Sequence, residues 1–258
     1  MKVAIIGSGA IGTFVRERLA DLGVVEIAQI VRRGKEDAQT TPPKVSDLTD
    51  LPDAPDLVID CGGHSALADF GPDALSRGLD VLTVSLGALA DAELEMRLKQ
   101  TAKTGGARLH LSSGAIGGLD ALRSAAAGHL TSVTYTGRKP PQGWLGSPAE
   151  TKVDLNVLAE PFIHFSGSAR QAALTYPKNA NVAAAVALSG IGLDATRVQL
   201  IVDPTVTENI HEVTAKGDFG QFSFRIAGQG LPDNPKSSAL AAMSVVASVA
   251  EMQKSAGF

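Results

Sequence analysis

Met1-Lys-Val-Ala-Ile-Ile-Gly-Ser-Gly-Ala-Ile-Gly12 opens the chain and decides how its first half folds. The apolar run Val3–Ile6 reads as a buried strand, Gly7-x-Gly9-x-x-Gly12 as a turn, and Thr13–Leu22 as a helix. Strand, glycine turn and helix in that order are the context in which a glycine pattern becomes a dinucleotide-binding fingerprint. Gly7 permits the tight turn, Gly9 lets the backbone approach a pyrophosphate, and Gly12 lets helix and strand pack closely. Ala10 and Ile11 stand at the helix N-terminus, where unpaired N–H groups and a partial positive charge face the phosphates.

Outward from this stretch, short apolar runs alternate with helical segments, as they do in a parallel sheet covered by helices. Glu26–Val31, Leu57–Cys61, Asp80–Ser85 and Arg108–Leu111 read as further strands, with helices over Ala66–Arg77 and Asp91–Thr104. This predicts a Rossmann-type, doubly wound α/β domain that binds its ligand at the carboxyl ends of the strands. After Leu111 the texture changes. Ser112–Gly118 is a loop of small residues, and a helix follows from Leu119 to about Leu130. Ser132–Gly137, Arg197–Val202, Glu208–Ala215 and Gln221–Ala227 are β-type runs, interrupted by an alanine-rich helix over Val182–Leu188. Phe222, Phe224 and Ile226 alternate with Gln221, Ser223 and Arg225, so that strand has one buried and one wet face. Ser237–Gln253 is an amphipathic helix. The expected organisation is a dinucleotide-binding domain over 1–118, a smaller α+β domain with a mixed or antiparallel sheet over 119–234, and a C-terminal helix over 235–258 that returns to the first domain.

Composition narrows the partners. With 258 residues, 44% hydrophobic and 19% charged, the chain has the balance of a soluble folded protein. A net charge of −4 and the lack of any basic block give no footprint for nucleic acid. Cys61 is the only cysteine, which suits a reducing compartment. No run is long enough to span a membrane, and a cytoplasmic location is expected. No cysteine–histidine cluster suggests a metal site.

The second strand should end in the carboxylate that bonds the ribose 2′-hydroxyl of NAD. Here that place holds Val31-Arg32-Arg33-Gly34. Two guanidinium groups are partners for a 2′-phosphate, which favours NADP. Glu36 and Asp37 follow closely enough to reach a ribose, so NAD stays open.

Several phrases resemble the L-aspartate dehydrogenase family. They are Ser112-Ser-Gly-Ala-Ile-Gly-Gly-Leu-Asp-Ala-Leu122, Thr134-Tyr-Thr-Gly-Arg-Lys-Pro-Pro141, Ser166-Gly-Ser-Ala-Arg170, Tyr176-Pro-Lys-Asn-Ala-Asn-Val182, Asn209-Ile-His-Glu212 and Asn234-Pro-Lys-Ser-Ser-Ala-Leu240. Asp60-Cys-Gly-Gly-His64, which contains Gly62, resembles the family's turn after the third strand. The likeness implies NAD(P)-dependent oxidation of L-aspartate to iminoaspartate, which hydrolyses to oxaloacetate and ammonia or feeds NAD biosynthesis. It further implies that His211 is the catalytic residue and that Ala115 and Asn181 contact the nicotinamide cofactor. The Arg32-Arg33 pair departs from the many relatives with an aspartate there, which touches cofactor preference rather than the reaction. Dihydrodipicolinate reductase and homoserine dehydrogenase relatives share a similar domain order and remain alternatives, as does a dinucleotide sensor without turnover.

Among the five histidines, His211 stands out because Thr207, Asn209, His211 and Val213 share one strand face that is partly polar. An imidazole exchanges protons near neutral pH, as amine-to-imine chemistry requires. A dicarboxylate needs cationic or N–H partners, and Arg138, Lys139, Lys178 and Lys236 lie in phrases rich in glycine, proline or asparagine. Lys139, Lys178, Asn209 and Lys236 are therefore the expected substrate contacts. An exposed sheet face in the second domain leads to the expectation of a symmetric homodimer.

Overall fold

In the computed structural model, which describes residues 1–254 apart from Lys178 and Asp233 and apart from the side chains of Pro235 and Lys236, two compact units divide the chain. The first comprises 1–88, 92–114 and the C-terminal stretch from Ala241. The second comprises 89–91 and 115–240.

In the first unit β1 (Lys2–Ile6), α1 (Ala10–Asp21), β2 (Val25–Ile30), β3 (Lys44–Val45), β4 (Leu57–Asp60), α2 (His64–Ser76), β5 (Val81–Thr83), α3 (Ala92–Gly105) and β6 (Leu109–Leu111) follow in sequence. They form a six-stranded parallel sheet in the order β3-β2-β1-β4-β5-β6. The sequence order reverses between β1 and β4, the crevice where open α/β sheets bind their ligands. Val3–Ile6 and the whole of β4 are buried, because central parallel strands are covered on both faces. Helix α1 turns Gly12, Val15 and Leu19 inward at helical spacing.

The second unit holds α4 (Leu119–Ala126), β7 (Leu130–Lys139), β8 (Phe162–Ser168), α5 (Ala169–Thr175), α6 (Asn181–Ser189), β9 (Arg197–Val202), β10 (Asn209–Gly217), β11 (Gly220–Gly228), β12 (Gly230–Leu231) and β13 (Asn234–Ser238). Its five-stranded sheet runs β11-β10-β7-β9-β8, with β7 and β9 parallel and the other pairs antiparallel. Strands β10 and β11 form a hairpin, closing where Gly217 pairs with Gly220. Gly220 takes a φ of 108°, which only glycine adopts without strain.

The last helix, α7 (Ala239–Gln253), returns Val245 and Val249 to the first unit's core beside Val3, Ile5, Val15 and Leu19. A Doubly wound parallel sheet, a second unit with a mixed sheet and a returning helix are thus all present. Some elements and bounds differ from those expected from the sequence. Helix α4 stops at Ala126, because Ala127–His129 turn the chain into β7. The short strands β12 and β13, ahead of the last helix, pair with each other and were not among the expected strands. Edge strand β8 had no clean alternating signature, and its register shifts between Ile163 and Phe165, which breaks the period of two.

Candidate functional site

The first unit builds a phosphate cradle from backbone. Gly7 has a φ of 98°, and a Cβ there would sit 2.7 Å from the Cα of Gly62. The turns after β1 and β4 therefore pack backbone to backbone, which explains glycine at both positions. A Cβ on Gly12 would lie 2.9 Å from the carbonyl oxygen of Gly7, so helix α1 docks directly on its own turn. Gly9 faces open space, with nothing within 4 Å of where its Cβ would be. It is also the N-cap of α1 and offers no side-chain cap, which leaves the first N–H groups of the helix, around Ala10 and Ile11, to an anion. Glycines that touch where contact is required and open where a ligand must approach fit a dinucleotide pyrophosphate.

Two groups frame this cradle. Arg32 and Arg33 are exposed just past β2, and Arg32 Nη2 donates to Ser65 Oγ of α2 at 3.2 Å. Asp60, at the end of β4, is fully buried and accepts from Thr83 Oγ1 at 2.7 Å and from the Gly62 N–H at 2.9 Å. Burial pushes its carboxyl above the ordinary carboxylate range. Asp60 thereby ties the ends of β4 and β5 to the turn that carries Gly62. In the sequence Asp60 stands within a family-like phrase, and a lone acid ending an apolar strand is the signal it carries.

The second unit places its polar residues at the start of β10 and the end of β7. Antiparallel register sets His211 opposite Gly137, while Tyr135, Gly137 and Lys139 alternate along one face of β7. His211 is 4% exposed, and its Nδ1 lies 2.7 Å from the Tyr135 hydroxyl. Burial, reinforced by the positive charge of Lys139, depresses the imidazole to about 3, so the ring is neutral at physiological pH. Lys139 donates from Nζ to Asn179 Oδ1 at 2.8 Å and stands 5.3 Å from the Trp144 ring centre. It has no carboxylate in ion-pair reach among the described residues, and burial lowers it to about 8. A cavity of about 790 Å³ opens here, lined by Lys139, Asn179, Asn209, Gln142, Gln229 and Glu208 among others.

The structure thus brings together Lys139 and Asn209, with His211 two residues further along β10. Thr207, read on the same face, instead precedes β10 and is exposed, though it lines the same cavity. Asn181 begins α6, two residues beyond Asn179, and Ala115 is buried ahead of α4. Lys178 lies outside the described residues; Lys236 belongs to β13 by its backbone, and its side chain is likewise outside them. Arg138 points the other way along β7 and is committed to an ion pair with Asp203. His164 packs edge-on to Trp144, 4.3 Å between ring centres, in an aromatic cluster with Tyr176. His110 pairs with Asp80 at 2.9 Å. Tyr135 and Asn179 escaped the sequence reading, since nothing local separates a functional tyrosine on an alternating strand from a packing one.

No helix among the described residues is long and apolar enough to cross a membrane. The family model described as "Aspartate dehydrogenase, C-terminal" matches residues 120–252, and that described as "Homoserine dehydrogenase, NAD binding domain" matches residues 7–112. The chain is 54% identical over 252 residues to the L-aspartate dehydrogenase of Ruegeria pomeroyi, covering 96% of this chain and 91% of the relative. Its identity to the Pseudomonas aeruginosa L-aspartate dehydrogenase is 45% over 254 residues, covering 95% of each. A solved aspartate dehydrogenase from Thermotoga maritima matches with a TM-score of 0.79 at 26% identity, over 100% of this chain and 99% of that one. A hyperthermophilic archaeal homoserine dehydrogenase, solved with NADPH, shares the fold at a TM-score of 0.61 and 10% identity, over 97% of this chain and 96% of that one. Relatives this similar along nearly the whole length, together with the C-terminal model's match to most of the second unit, show that the chain belongs to the L-aspartate dehydrogenase family.

Proposed function

We propose that this protein oxidises L-aspartate with NADP⁺ or NAD⁺ to iminoaspartate, releasing the reduced dinucleotide and one proton. Water then converts the imine to oxaloacetate and ammonia. The observation that carries this reading is the cation Lys139, without a carboxylate partner among the described residues, lining a polar cavity next to His211 in the unit matched by the family's C-terminal model. A dicarboxylate supplies the missing negative charge. Lys139 and Asn209 hold its carboxylates, and His211 stands beside them at the reacting centre. Lys178 and Lys236 are the further cations proposed to face the substrate.

The dinucleotide supplies the hydride acceptor when bound. The chain's part is to seat it. The turn at Gly7, Gly9 and Gly12 and the N–H groups at Ala10 and Ile11 take the pyrophosphate, Gly62 keeps the neighbouring turn close, and Ala115 and Asn181 steady the nicotinamide. Arg32 and Arg33, in place of an acid, make NADP⁺ the preferred form. The chain works as a homodimer in the cytoplasm, a reading supported by a wet sheet face on the second unit and by a lone, part-buried cysteine.

Steady-state reduction of NADP⁺ and NAD⁺ with L-aspartate, against a panel of other amino acids and homoserine, tests the reaction. Turnover with aspartate is expected, and its absence with both dinucleotides would overturn the reading. His211→Ala should lower kcat by about a hundredfold or more while dinucleotide binding, followed by NADPH fluorescence, stays intact. Replacing Arg32 and Arg33 with alanine should raise KM for NADP⁺ about tenfold and leave that for NAD⁺ nearly unchanged.

A further inference from the structure

We propose that Tyr135 is a positioning residue that holds His211 in its Nε2–H tautomer, so that the imidazole meets the substrate as a hydrogen-bond donor rather than as a base. The donor role rests on the functional reading above; the tautomer does not.

The geometry begins with a missing side chain. Gly137 lies between Tyr135 and Lys139 on one face of β7 and directly opposite His211 on β10. A Cβ on residue 137 would be 2.8 Å from the Tyr135 hydroxyl oxygen and 3.2 Å from the ring carbon that bears it. The tyrosine ring therefore leans over the glycine and delivers its hydroxyl to His211 Nδ1 at 2.7 Å. The two rings are inclined by only 19°, with centres 6.0 Å apart.

Proton counting then decides the roles. A phenol carries one hydrogen, and burial raises its pKa, so it remains an O–H. Nδ1 of His211 is its hydrogen-bond partner among the described residues. The hydroxyl donates, Nδ1 accepts, and a neutral imidazole must then carry its own hydrogen on Nε2. That nitrogen makes no hydrogen bond among the described residues, which leaves its hydrogen for a substrate. The neighbouring charge agrees. Protonating His211 would set a second cation beside Lys139 in a desolvated place, which opposes a base and leaves a donor untouched. On the far side, β11 presents the apolar Ile226 opposite His211.

Nitrogen NMR on the full chain with isotope-labelled histidine, the His211 signals assigned by loss in His211→Gln, reads the tautomer directly. At neutral pH a pyridine-type Nδ1 and a pyrrole-type Nε2 are expected; a pyrrole-type Nδ1 or a charged ring would overturn the proposal. Tyr135→Phe should average the two nitrogen signals and lower kcat about tenfold, with KM for the dinucleotide unchanged. Gly137→Ala should act the same way by displacing the hydroxyl, and it serves should the phenylalanine variant fail to fold. His211→Gln keeps an N–H donor and should lose about tenfold in kcat, against about a hundredfold for His211→Ala. Equal losses in those two variants would refute the donor role. The spectrum judges the tautomer whatever the substrate, so an unreactive wild-type protein with the expected spectrum overturns the aspartate reading alone.

Discussion

Lys139 shows how much one residue's surroundings decide. Its ammonium stands 5.3 Å from the Trp144 ring centre and is bonded to an amide oxygen rather than a carboxylate, and burial brings its pKa down to about 8. The cationic form is present below that pH and is lost as pH rises through it. If Lys139 anchors a carboxylate, KM for aspartate is expected to climb as pH passes about 8 while KM for the dinucleotide does not. Lys139→Met should raise KM for aspartate about tenfold or more at neutral pH and flatten that pH limb. A KM for aspartate indifferent to the substitution would remove Lys139 from the site. The sequence singled out His211 by the partly polar face of its strand, and Lys139 and Asn209 by the family-like phrases that hold them. Tyr135 and Asn179 were not singled out. Their roles come from partners 76 and 40 residues away, across strands and loops whose register no local pattern reports.

At the scale of elements, the β1–turn–α1 unit is the part most completely written in the sequence. Gly7 and Gly12 each have a steric reason that the structure makes explicit, with backbone at Gly62 and at Gly7 itself occupying the space a side chain would need. Gly7→Ala combines a positive φ with a contact to backbone that no rotamer can relieve. It should cost about 3 kcal/mol of stability and most of the dinucleotide affinity, measurable by denaturant unfolding and by NADPH titration. Gly9→Ala meets open space and should fold normally, so any loss there reports on the ligand alone. Strand β8 is the opposite case. Its register shift and exposed Phe162 and Ile163 hide the alternation that marks β11, and only pairing with β9 reveals it as a strand.

For the molecule as a whole, the first unit is assembled from both ends of the chain. Val245 and Val249 of α7 are fully buried against β1 and α1, so the glycine turn rests on a core that the last residues complete. Ending the chain at Leu240 should abolish dinucleotide binding by opening that core, and Val245→Ala should cost about 2 kcal/mol in a thermal or denaturant melt. A truncated chain that still bound NADPH would show that the helix is dispensable. By itself the sequence determined the classes of element, the dinucleotide turn and the residues able to bind a dicarboxylate, because these rest on periodicity, glycine sterics and side-chain chemistry that act over a few neighbouring positions. The tertiary structure alone decided that Arg138 is spent on Asp203, that Lys139 goes without a carboxylate partner among the described residues, and that Tyr135 reaches His211 across a glycine. Strand register and burial set those outcomes, and both arise only when distant segments are packed together.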